Sequence, residues 1–381
     1  MNCSVEYSCL NSKPLVTFVL FAYNQEEFIQ EAVRGVFAQD YRPLEIILSD
    51  DCSTDRTFEI MQIEAKSAPD DVDLHLVQSP VNLGIASHIN RIFEQVNGEY
   101  LVIGAGDDIS ESNRVSLCIN ELLKFKRMVL HSKAKKISPD GKDLGIEENP
   151  YLSILENAEE IVENMAWVTG ATAVIHRNII ENFPKLNKNV VNEDMVWAFR
   201  SALKGGSVYI NQECVRYRVG VGVSTFRGVG DLVLENQNIR VQLFRSLAVL
   251  EQMERDLVST STKGTFFEQL HALILKKINQ KNACVEFSGS PDLWRGVKML
   301  IRSEWSLDVV KLFMRFLLPS LFSALKSWKS HPRIYCFSQR FSVIETIRRL
   351  LLESYVKPES LVFMNQACLR AHESCLRLPL T

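Results

Sequence analysis

Residues 16–24 read Val-Thr-Phe-Val-Leu-Phe-Ala-Tyr-Asn, and residues 44–55 read Leu-Glu-Ile-Ile-Leu-Ser-Asp-Asp-Cys-Ser-Thr-Asp. Each is a short apolar run, rich in β-branched and aromatic residues and closed by a polar turn, the pattern of a strand buried on both faces. Between them Phe28, Ile29, Ala32, Val33, Val36 and Phe37 recur at helical spacing, and Asn24 is placed to cap that helix. The stretch is therefore a βαβ unit with a right-handed crossover. Both strands then end on one edge of the sheet, where open α/β folds bind ligands. Tyr23-Asn24 and Ser49-Asp50-Asp51 meet on that edge. The loop of Asp50, Asp51, Ser53, Thr54 and Asp55 offers carboxylates and hydroxyls but no glycine, so it suits a base or ribose better than a phosphate. The same residues also fit an acidic turn that caps the next helix.

Further along, a helix is expected over Thr57–Lys66, a third strand over Asp73–Val77 and a helix from about Gly84 to Val96. A fourth strand, Tyr100–Ile103, runs into Gly104-Ala105-Gly106-Asp107-Asp108. Adjacent carboxylates at a strand end can hold Mg²⁺ or Mn²⁺ and leave positions for phosphate oxygens, while the two glycines keep side chains clear. A helix over Glu111–Lys124, a strand from Met128, a turn at Pro139–Lys142 and a helix near Leu152–Glu163 follow. Asn192-Glu193-Asp194 opens another helix, a place where dipole complementarity alone favours acids. Val208–Ile210 and Cys214–Val219 are expected as two short strands. Arg216, Arg218, Ser224 and Thr225 flank Gly220-Val221-Gly222, a loop suited to phosphates but lacking the helix of a dinucleotide fingerprint.

The 381 residues are long enough for one large α/β domain and a smaller region. A formal net charge of −3 gives no pull toward nucleic acid. Nine unpatterned cysteines without a C-x-x-C pair argue for a reducing compartment, against both a disulfide framework and a zinc site. The polar opening residues lack the layout of a signal peptide, so a cytoplasmic location is expected. From about residue 231 the pattern turns helical. Leu307–Trp328 is apolar but broken by Lys311, Arg315 and Pro319, short of the roughly 20 residues of a membrane span. With the basic tail beyond Lys326 it fits either peripheral contact with an anionic membrane surface or packing on the α/β domain.

These motifs in this order resemble family 2 of the inverting glycosyltransferases, which have the GT-A fold. The likeness runs from about Pro14 to Thr225. It rests on Val19–Glu26, Ser49–Asp55, Gly98-Glu99-Tyr100 with Gly106-Asp107-Asp108, and Asn192-Glu193-Asp194. The resemblance implies an α/β fold with a Rossmann-like mixed, mostly parallel sheet over 14–230 and a helical region over 231–381. It implies that Ala22, Tyr23 and Asp51 contact the base, Asp107 the ribose, and Asp108 a divalent Mg²⁺ or Mn²⁺ that bridges the diphosphate. Asp194 is the implied catalytic base, with Arg218 or Ser224 near the diphosphate. It further implies transfer from a nucleotide-diphospho-sugar to a saccharide or lipid-linked acceptor in bacterial lipopolysaccharide or O-antigen assembly, at the cytoplasmic face of the inner membrane. Ala105 stands where many members have a further acid, and Gly220 where many have a histidine. The rival reading, a non-catalytic nucleotide-sugar-binding protein, is disfavoured by the intact Asp51, Asp107, Asp108 and Asp194.

Overall fold

A computed structural model describes residues 13–222, 232–260 and 263–289, together with Gly296, Met299, Leu300, Val309, Leu312 and Phe313. Strand β1 (Val16–Ala22), helix α1 (Ile29–Phe37) and β2 (Leu44–Asp50) form the expected unit, followed by α2 (Thr57–Glu64), β3 (Asp73–Gln78), α3 (Ile85–Phe93) and β4 (Tyr100–Ala105). The strands β3-β2-β1-β4 lie side by side and all parallel. β2 is buried at every position and β1 at all but one, as strands covered on both faces must be. The edge strand β3 alternates between exposed and half-buried residues. Helix α1 buries Ile29, Ala32, Val33 and Val36, an i, i+3, i+4, i+7 stripe.

The chain continues through β5 (Ile109–Ser110), α4 (Arg114–Phe125), β6 (Val129–Ile137), β7 (Asp143–Glu147), α5 (Ala158–Asn164), β8 (Val174–His176), α6 (Asn178–Glu181), α7 (Glu193–Ala202) and β9 (Ser207–Arg218). β8 runs antiparallel to β4 and carries the sheet on to β6, β9 and β5, giving the mixed order β3-β2-β1-β4-β8-β6-β9-β5 with β7 paired to β6. The turn at Pro139–Lys142 is the tip of the β6–β7 hairpin. The two short strands expected over 208–219 are one strand of 12 residues. Its register against β6 shifts between Ser132 and Ala134, so an irregularity absorbs the break in pattern.

Helices α8 (Leu232–Ser259) and α9 (Thr265–Gly289) complete the described elements. The chain falls into two compact units, Met1–Asn238 with Arg245–Leu275, and Ile239–Phe244 with Lys276–Thr381. In the first, Arg200 of α7 forms a buried two-pronged pair with Asp256 of α8 (2.6 and 2.9 Å), and Gln252 also donates to Asp256. In the second, Phe287 stacks on Phe313 with ring centroids 6.1 Å apart. Among the described residues no helix is long and apolar enough to cross a membrane. The boundary expected at 230–231, Ser224, Thr225, most of Leu307–Trp328 and the basic tail lie outside the described residues.

Candidate active site

The parallel register decides which side chains meet. Ala22 pairs with Asp50, and Phe21 pairs with both Ser49 and Ala105, so β1, β2 and β4 end level with one another. Beyond the strands, the Asp51 N–H donates to the Ala22 carbonyl (2.9 Å) and the Gly106 N–H to the Phe21 carbonyl (2.8 Å). One edge thus collects Ala22, Tyr23, Asp51, Asp107 and Asp108. Tyr23 is the exposed member, at 41%.

The acidic loop after β2 is mostly tied to backbone. Asp50 accepts from the Ser53 amide (2.9 Å), the Ser53 hydroxyl and Gln78 Nε2 (3.0 Å). Asp55 accepts from the amides of Thr57 (2.9 Å) and Glu26 (3.1 Å). Asp51 accepts from the amides of Leu83 (3.0 Å) and Gly84 (2.9 Å), just ahead of α3, where a carboxylate is favoured. Asn24 does not cap α1, which begins at Ile29 after Phe28 with no side-chain cap. It adopts a positive φ of 51° instead, and its Oδ1 accepts from the Thr54 amide (2.8 Å), tying the loops after β1 and β2 together.

Asp107 and Asp108 face a different balance. Burial pushes the Asp107 carboxyl above its usual range. Burial and then the charge of Asp107 push Asp108 well above its own, and the Arg218 amide, donating to Asp108 Oδ1 at 2.8 Å, only partly offsets this. The Gln25 side chain hydrogen-bonds to Asp107. Gly106 is required here by close approach, because a Cβ would lie 2.5 Å from Gln25 Oε1 and 2.9 Å from Ile29 Cδ1. The Gly-x-Gly loop comes to the same place. Gly222 has φ +72°, and a Cβ on it would come 3.0 Å from Asp107 Oδ2. A buried carboxylate, Asp108, and a half-buried one, Asp107, that repel one another are a hard-oxygen donor set suited to a divalent cation.

Arg218, expected beside the diphosphate, has its guanidinium committed elsewhere. Nε donates to the Asp107 carbonyl (2.9 Å), Nη1 to the carbonyls of Ser138 (3.2 Å) and Pro139 (2.7 Å), and Nη2 to Glu31 (2.7 Å). Its face lies 4.6 Å from the Phe28 ring centroid. It fastens the turn that carries the two aspartates. Arg218→Met is therefore expected to destabilise the fold by about 3 kcal/mol, since buried acceptors lose a charged donor. Thermal unfolding checks this, and an unchanged melting temperature with lost nucleotide affinity would return Arg218 to ligand contact.

Sequence reasoning missed Arg114. It is fully buried, donating to Ser110 Oγ (2.9 Å) and to the Ile103 carbonyl (2.8 Å) near the end of β4. A cation in the first turn of a helix opposes the helix dipole, and that anomaly was the available signal.

Asp194 lies against a turn that leads to the end of β4. The 3-10 turn Gly170–Thr172 precedes Ala173, whose carbonyl accepts from the Ile103 amide (3.1 Å) near the end of β4. Gly170 lies against Asp194, where a Cβ would come 3.1 Å from the Asp194 Cβ. Asp194 Oδ1 accepts from the Met195 amide (2.9 Å). Burial raises its carboxyl to about 6, and burial together with the Asp194 charge raises Glu193 to about 8. A carboxylate poised near neutrality is suited to taking a proton from a hydroxyl.

Residues 17–183 match the family model "Glycosyl transferase family 2". EpsE of Bacillus subtilis (strain 168), named as a glycosyltransferase, is 32% identical over 117 residues, 31% of this chain and 41% of that protein. The hyaluronan synthase of Pasteurella multocida is 32% identical over 138 residues, 36% of this chain and 14% of that protein. The chain thus spans less than half the length of either relative. The crystal structure of S. aureus TarS 1-349 in complex with UDP-GlcNAc superposes with a TM-score of 0.53 at 16% identity, covering 90% of this chain and 92% of that one, a likeness of fold. Residues 17–183 are thus similar to glycosyl transferase family 2, and the chain has a GT-A-like fold.

Proposed function

We propose that this protein is an inverting, metal-dependent glycosyltransferase. It moves a sugar from a nucleotide-diphospho-sugar to an acceptor hydroxyl, a lipid-linked glycan in cell-surface polysaccharide assembly at the cytoplasmic side of the membrane. The observation that supports the reading is the sheet edge with Asp51, Asp107 and Asp108, together with Asp194 against Gly170, three residues before the Ala173 that bonds near the end of β4. The family match and the polysaccharide synthase among its relatives support the donor and acceptor classes.

In this reading Ala22, Tyr23 and Asp51 hold the base, and the Leu83 and Gly84 amides keep the Asp51 carboxylate aimed. Asp107 meets the ribose. Asp108 would hold Mg²⁺ or Mn²⁺, whose charge, when bound, would offset that developing on the leaving diphosphate. Arg218 keeps the aspartate turn in place from behind. Asp194 takes the proton of the acceptor hydroxyl as its oxygen attacks the anomeric carbon. The nucleoside diphosphate departs from the opposite face, and one displacement without a covalent intermediate inverts the configuration.

Calorimetric titration of UDP, GDP and dTDP, with Mn²⁺ and then with EDTA, tests the donor half. Binding of one diphosphate that requires metal is the expected result. A folded protein that binds none of them would be a scaffold of the same fold rather than a transferase.

A further inference from the structure

Residues 166–169 lie outside helix and strand and alternate in burial, and Thr169 has an extended backbone. Ala166 and Val168 are completely buried, while Trp167 and Thr169 are only partly so. The two partly exposed residues, Trp167 and Thr169, thus alternate with the two buried ones. The segment leads directly into Gly170, which packs against Asp194. Three residues span at most about 10 Å, so the Trp167 Cα lies no farther than that from the Cα of Gly170.

The segment is held in place on several sides. Asn149 Nδ2 donates to the Trp167 carbonyl (2.9 Å), and Asn149 Oδ1 accepts from the Tyr151 amide (2.9 Å). The Tyr151 and Trp167 rings meet edge to face, with centroids 4.5 Å apart and planes at 72°. The Thr169 amide donates to the buried His131 Nδ1 (3.4 Å), and the Thr169 carbonyl accepts from the Thr172 hydroxyl (2.8 Å). A large, partly exposed indole is thus held in place three residues from Gly170, which packs against Asp194. An edge-to-face pair covers at most one face of one ring. The negative face of an aromatic ring attracts polarised C–H groups, and one side of a pyranose ring presents a row of them.

We propose that Trp167, braced by Tyr151, is a stacking platform for a pyranose ring of the acceptor, which it presents to Asp194. This deepens the glycosyltransferase reading and rests on it for the word acceptor. The platform itself is a claim about carbohydrate binding and is tested without turnover.

Saturation-transfer NMR on the full chain would use methyl glycosides of glucose, galactose, mannose and N-acetylglucosamine at millimolar concentration, with UDP binding measured in parallel. Wild-type protein is expected to saturate the ring C–H protons of at least one glycoside. Trp167→Ala and Trp167→Leu should weaken that binding about 10-fold, and Trp167→Phe should retain most of it. UDP affinity should be unchanged in all three. The leucine variant keeps apolar volume without a π face, so it serves if the alanine variant fails to fold. Equal glycoside binding by the leucine variant and wild type overturns the platform. So does a wild-type protein that binds UDP and no glycoside. If the protein binds no nucleotide, yet binds a glycoside that the alanine and leucine variants release, the platform stands and the donor reading falls.

Discussion

Asp194→Asn is expected to lower sugar transfer by about 1,000-fold while leaving nucleoside diphosphate binding unchanged. The amide keeps the shape of the carboxylate, and its oxygen can still accept from the Met195 amide at 2.9 Å. What disappears is the ability to take a proton. A factor of 1,000 corresponds to about 4 kcal/mol of transition-state stabilisation, within the range of a positioned general base. The wild-type pH profile carries a second signature. Burial raises Asp194 to about 6, and a base works only when ionised, so transfer should fall as pH drops through about 6. The variant should lose that limb. Glu193, raised to about 8, feels the charge of Asp194, so the observed limb belongs to the pair. Transfer kinetics from pH 5 to 9 measure both effects, and a variant near wild-type rate would remove Asp194 from the chemistry.

Asp108→Asn should have the second large effect, with opposite consequences for binding and stability. Loss of a partner outside the coordination sphere of a metal costs about 10–100-fold in affinity. Loss of a ligand should therefore weaken Mn²⁺-dependent nucleoside diphosphate binding by more than about 100-fold. The metal-free fold should gain stability, because an isosteric amide removes the repulsion from Asp107 and still accepts from the Arg218 amide. Calorimetric titration with Mn²⁺ and thermal unfolding in EDTA measure the two halves. Unchanged metal dependence would take Asp108 out of the metal site. A lower melting temperature without metal would show that its charge holds the turn together. A site that is more stable once disabled is the usual trade between stability and function.

The amino-acid sequence by itself determined the first half of the fold. β1, α1, β2, β3 and β4 are local objects, since a run of apolar residues at period 2 or 3.6 and a polar turn define each of them. The parallel βαβ rule then places Asp51, Asp107 and Asp108 on one edge without any coordinates. The similarity to glycosyl transferase family 2 was legible for the same reason, because the motifs that carry it sit at those strand ends.

Only the tertiary structure decided the rest, and in each case the partner lies far away in the chain. Asn24 looked like a helix cap until the loop 30 residues on supplied the Thr54 amide. Residues 208–219 looked like two strands because the irregularity opposite Ser132–Ala134 belongs to the pairing with β6. Arg218 looked like a free cation beside phosphates, and three segments of chain, at Glu31, Asp107 and Ser138-Pro139, use its donors instead. Asp194 could be read as a dipole-matched acid at a helix start. Its arrival beside the strand edge depends on β8 running antiparallel to β4 and on Gly170 leaving room for it. Short-range periodicity encodes the elements, whereas hydrogen-bond partners across 30 to 190 residues are settled by packing, which no local pattern contains.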